Sequence, residues 1–148
     1  MRPQWFEDYT EGRVLEIGHA VVDRDELLEF AHRYDPQPFH TDPEAAARSV
    51  FGGLITSGFH TCALMMRMLA DHYLDPVSSL GSPGVDELRW PRPVRPGDRL
   101  RLKVTIVEAR PSRGKPDRGM VTSRMVVLNQ DDAEVMTLTA MNLVLRRP

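Results

Sequence analysis

Residues 51–70, FGGLITSGFHTCALMMRMLA, hold only one reliably charged side chain, Arg67. A run this apolar is not a surface amphipathic helix and must be buried on most sides. It approaches the length of a membrane span, but Gly52, Gly53, Ser57, Gly58, His60 and Arg67 interrupt it. A buried helix of a water-soluble domain fits better. The spacing predicts this helix from near Ser57 to His72, with Leu64, Met65, Met68 and Leu69 at core positions. The clustered methionines Met65, Met66 and Met68 fill a sheet–helix interface or, less simply, form an adaptable binding wall.

The rest of the chain has to supply the layer that covers the helix. Val14 to Val22 reads as a first strand. Asp23, with Glu26 three residues on, marks a helix start, and the helix runs over about Arg24–Tyr34 with Leu27, Leu28, Phe30 and Ala31 as its apolar stripe. Asp42-Pro43 opens a short helix to Ala47. After the long helix the period changes to two. Val85 to Trp90 reads as a strand, Leu100, Leu102, Val104 and Ile106 alternate with polar residues, and residues 120–129 and 134–146 form a hairpin around Asn129-Gln130-Asp131-Asp132. Ala109 to Gly119 is expected to be a polar loop. Residues 1–12 are expected to lay Trp5, Phe6 and Tyr9 over the surface. One strand, then helices, then antiparallel strands argues for an α+β fold, with residues 1–148 as one domain.

Charge narrows the partners. Lys and Arg total 19 against 21 Asp and Glu, a net charge of −2, which gives no argument for nucleic acid or an anionic membrane. A single cysteine, Cys62, rules out an internal disulfide framework and fits a reducing compartment. The start, MRPQWFEDYTEGR, shows no apolar signal core, so a cytoplasmic protein is expected.

The segment before the apolar run carries the chemistry. Asp35 and His40 flank Pro36 and Pro38, which stiffen the backbone and disfavour helix between them. A carboxylate and an imidazole held this way suit general acid–base work. The glycines then lead into the long helix, whose first N–H groups have no intrahelical acceptor and attract developing negative charge. The same residues also make ordinary turns.

The run Asp35-(four residues)-His40-Thr41-Asp42-Pro43, followed by Phe51-Gly52-Gly53-Leu54-Ile55 and Gly58, resembles the hydratase signature of MaoC-like dehydratases, the (R)-specific enoyl-CoA hydratase family. The resemblance extends to Gly84–Trp90 and to the Pro93–Asp98 turn. It implies a single hot-dog domain, a curved antiparallel sheet wrapped around a long central helix, and at least a homodimer. It also implies reversible addition of water to a 2-enoyl thioester. Asp35 and His40 would activate the water and the Gly58 N–H would face the thioester oxygen. Phe51, Ser57 and His60 are candidate substrate contacts. Coenzyme A would be part of the substrate, no separate cofactor is implied, and no metal-ligand spacing is present. The family more often has Asn at position 37 and His at position 57, so Gln37 and Ser57 bear on pocket shape. Ser57 is a donor to substrate or, more simply, a helix cap. His60 is equally a satisfied interior histidine. Arg113, in the basic loop Arg110–Arg118, is a candidate for the coenzyme A phosphates, against the simpler reading of a solvated loop; Arg89 and Arg92 are alternatives. A hot-dog thioesterase or a non-catalytic acyl-thioester binder are the competing readings.

Overall fold

In a computed structural model, residues 2–148 are described. Five antiparallel strands form one sheet: β1 (Val14–Val21), β2 (Gly84–Arg89), β3 (Arg99–Pro111), β4 (Arg118–Leu128) and β5 (Glu134–Leu145), in the order β1-β3-β4-β5-β2. The helices are α1 (Arg24–Tyr34), α2 (Pro38–Thr41), α3 (Pro43–Arg48) and α4 (Gly58–His72). The arrangement is α+β and matches the hot-dog fold.

Register follows from burying one face. Leu102 pairs with Val127, Val104 with Met125 and Ile106 with Ser123, so the inward residues of β3 and β4 stand side by side. Met65, Met68 and Leu69 of α4 close over them in the core, with Leu64 packed partly against it. Met65 and Met68 therefore fill the sheet–helix interface, while Met66 is exposed. Leu102 is fully buried. Leu102→Ala is expected to cost about 2–5 kcal/mol, measured as a lower urea midpoint at unchanged slope.

Four expectations are corrected. The long helix is not buried on most sides. The sheet covers one face, and the other leaves Phe59 65% exposed, with Met66 and Arg67 also outward. Residues 36–41 are not wholly extended, because Pro38 is the first residue of α2, the one helical position where a missing N–H costs nothing. β3 continues through Ala109, Arg110 and Pro111, which pair with Val121, Met120 and Gly119, so the loop shrinks to 112–117. Polar side chains there are those of a hairpin's solvent side and need not mean a break in the ladder. Finally, Phe6 and Tyr9 enter the core. The Phe6 ring packs so closely on Gly119 that a Cβ there would lie 2.3 Å from it.

Among the described residues, no helix is long and apolar enough to cross a membrane.

Candidate active site

Asp23 accepts the Glu26 N–H and starts α1, while Asp35 ends it, its N–H donating to the Ala31 carbonyl. Pro36 prevents continuation. The Gln37 N–H closes back on the Asp35 carbonyl at 2.8 Å, and α2 begins. This places His40 inward, 5% exposed. One of its ring nitrogens, Nδ1, lies 2.7 Å from the Ile55 carbonyl. A carbonyl only accepts, so Nδ1 carries the hydrogen. Nε2 is thereby turned toward Asp35, 3.3 Å from Oδ2, with its lone pair available whenever the ring is neutral.

Asp35 has two further partners. Gln37 Nε2 donates to Oδ1 and Ser57 Oγ donates to Oδ2, each at 2.7 Å. Burial works against the Asp35 charge, but these two hydrogen bonds and the neighbouring His40 outweigh it and hold the carboxyl below its ordinary range. A depressed folded value means the charge stabilises the fold above the unfolded carboxylate pKa of about 4 and loses that contribution as pH falls through the folded value. Ser57→Ala removes one donor and should raise the Asp35 pKa. The acid limb of any activity profile that needs the carboxylate should therefore move to higher pH, which kcat/KM against pH would show. Ser57 is not a helix cap: it occupies the cap position of α4 without making a side-chain cap bond, its hydroxyl hydrogen being given to Asp35 instead.

That choice leaves the start of α4 open. The Gly58 and Phe59 N–H groups have no acceptor among the described residues. Trp90 lies over the same point, its indole N–H donating to the Gly58 carbonyl at 3.1 Å. A Cβ at Gly58 would lie 2.4 Å from the indole, so the approach requires glycine. Phe59 meets the Trp90 ring edge-to-face at 5.6 Å.

Asp35, His40, Phe51, Gly58, Trp90 and Arg92 share the lining of a cavity of about 480 Å³. Phe51 is positioned by the Phe39 ring, 5.2 Å away, and by Arg95, which donates to its carbonyl. A base, a hydrogen-bonded carboxylate and free N–H donors around one largely apolar hollow are suited to moving a proton while stabilising an oxyanion.

His60 does not line this cavity. Its Nε2 lies 3.0 Å from Glu26 and its ring stacks on Phe30 at 4.8 Å, while Nδ1 is buried without a partner. Arg113 sits in the 112–117 loop and lines a different hollow with Arg110, Met120 and Leu143. The cation among the lining residues of the main cavity is Arg92. The sequence carried no signal for the Gln37 bond to Asp35 or the Ile55 carbonyl. Nor did it announce the cover supplied by Trp90, since these depend on contacts across the fold.

The chain is similar to several known proteins. A solved MaoC-like dehydratase from Rhodospirillum rubrum superposes with a TM-score of 0.90 at 40% identity, covering 98% of this chain and 99% of that one. A Bacillus subtilis protein of uncharacterised function, YdeM, is 26% identical over 87% of this chain and 90% of its own length. A 3-hydroxybutyryl-CoA dehydratase from Methylorubrum extorquens is 31% identical over 76% of this chain and 70% of its own. The MaoC like domain profile matches residues 9–128, and the chain belongs to that family.

Proposed function

We propose that the protein reversibly hydrates the C2–C3 double bond of a 2-enoyl-CoA thioester to a 3-hydroxyacyl-CoA. The observation that carries this is the His40 Nε2–Asp35 Oδ2 pair, 3.3 Å apart, in one cavity with the open start of α4 at Gly58. The family and the similarity to the M. extorquens 3-hydroxybutyryl-CoA dehydratase support it.

The roles follow from the acceptors and donors present. Asp35 accepts one hydrogen of a water and holds it beside His40. Neutral His40 takes the other proton through Nε2 as the water oxygen bonds to C3. Electrons of the double bond move toward the thioester carbonyl, whose growing negative charge is met by the Gly58 N–H. The imidazolium then returns its proton to C2, so the elements of one water are added and no co-reactant is consumed. Phe51 and Trp90 wall the acyl chain, and Arg92 is the cation best placed for the coenzyme A phosphates. Ser57 acts through Asp35 and not on the substrate. The active form is at least a homodimer, for which the exposed apolar side chains Phe59 and Met66 on the outer face of α4 and the edge strands β1 and β2 are the available surfaces. The protein acts in the cytoplasm.

The test is to mix the protein with crotonyl-CoA, follow the enoyl absorbance and assay free thiol in parallel. Loss of absorbance without thiol is expected. Thiol release would contradict the reading and place the protein with thioesterases.

A further inference from the structure

Two polar groups in the same cavity remain unused. The hydroxyl oxygens of Thr56 and Thr61 are buried without a hydrogen-bond partner, and both residues line the cavity that holds Asp35, His40 and Gly58. Thr61 is 1% exposed and Thr56 is 5% exposed. Their isolation is specific. A threonine inside a helix ordinarily donates to the carbonyl four residues back, here that of Ser57. That carbonyl already accepts the N–H groups of both His60 and Thr61, which fills its two lone pairs. The Thr56 N–H is bonded to the Val94 carbonyl at 2.7 Å, and its hydroxyl has no partner among the described residues. A buried hydroxyl without a partner is unfavourable, and a bound group that completes it gains affinity.

Placement indicates which part of a ligand does so. Thr61 lies three residues beyond Gly58 on α4, on the same helix face. With the thioester oxygen at the Gly58 N–H, the coenzyme arm must lead out to solvent. Hydroxyls this deeply buried therefore meet the acyl end. A carboxylate is disfavoured there, because Asp35 already contributes a negative charge to the cavity. The sole Arg or Lys in the lining, Arg92, is exposed and hydrogen-bonded through Nη1 to the Glu134 carbonyl. A neutral oxygen, hydroxyl or keto, accepts or donates to Thr56 and Thr61 without that repulsion.

We propose that Thr61, assisted by Thr56, is a specificity-determining residue that selects thioesters whose acyl chain carries a neutral oxygen beyond C3. The inference rests on the thioester reading above and names the substrate class of that site.

Saturated thioesters test it without turnover. Hexanoyl-CoA and its ω-hydroxy derivative, with the four- and five-carbon pairs beside them, are titrated by calorimetry into the wild type, Thr61→Val and Thr56→Val. Valine keeps the shape and removes the hydroxyl, and thermal melting checks that each variant is folded. In at least one pair the hydroxylated chain is expected to bind the wild type about tenfold more tightly. Thr61→Val should erase most of that preference while leaving the plain chain's affinity unchanged or improved. Equal affinity for both members of every pair in the wild type overturns the proposal without touching the hydratase reading, which crotonyl-CoA turnover reads separately. An equal effect of Thr61→Val on both members does the same, and shows that the hydroxyl serves water or packing. Failure of every thioester to bind overturns both.

Discussion

In His40→Ala, kcat for hydration is expected to fall by about 10²–10⁴, the usual contribution of a positioned acid–base group, while the Kd for a saturated acyl-CoA stays within about threefold. Among the described residues, Nε2 of His40 is the one imidazole nitrogen paired with Asp35, and the Nδ1 hydrogen is committed to Ile55, so no second histidine stands in for it. Asp35→Asn should lose a similar factor for a different reason. The amide keeps the volume and can still bond Ser57 and Gln37, but it no longer offers a charged acceptor to the water or to the imidazolium. Because both side chains act on the same water and proton, the double variant should be scarcely worse than either single one. Additive losses would show that they act independently and would contradict the shared-water arrangement.

Gly58→Ala is the second large effect, and it divides between stability and rate. The added methyl would lie 2.4 Å from Trp90, and overpacking of this kind costs about 1–3 kcal/mol. The indole or the first turn of α4 must move, and with it the N–H aimed at the thioester oxygen, so kcat should drop by roughly 10²–10³ as for loss of one oxyanion donor. Trp90→Ala removes the obstacle. In that background Gly58→Ala should cost less than about 0.5 kcal/mol in chemical denaturation, a coupling of at least about 0.5 kcal/mol between the two sites. If the stability costs simply add, Trp90 is not what demands glycine here.

Local chemistry in the sequence was enough to find α1, since Asp23 and Glu26 mark its start and Pro36 its end. It was enough for β3 as far as Ile106, where apolar and polar residues alternate. The Asp35 and His40 pair was visible because its two members lie five positions apart on a stiffened segment. What escaped depended on distant partners. Ser57 looked like a cap because a serine before a helix usually is one, yet its acceptor, Asp35, lies 22 residues away. The Trp90 contact with Gly58 spans 32 residues, and nothing local announces it. The polar run at Ala109–Pro111 suggested a loop, whereas pairing with β4 extends the strand. The long apolar helix suggested burial on most sides, but the sheet covers one face only.

The most direct test of the central claim is to run the reaction in oxygen-18 water, with wild type and Asp35→Asn side by side, and to locate the label by mass spectrometry. One heavy oxygen on C3 of an intact 3-hydroxyacyl-CoA is expected with the wild type, and at most about a hundredth of that rate with the variant. Label in the carboxylate of a free acid, or equal labelling of C3 by both proteins, would contradict it.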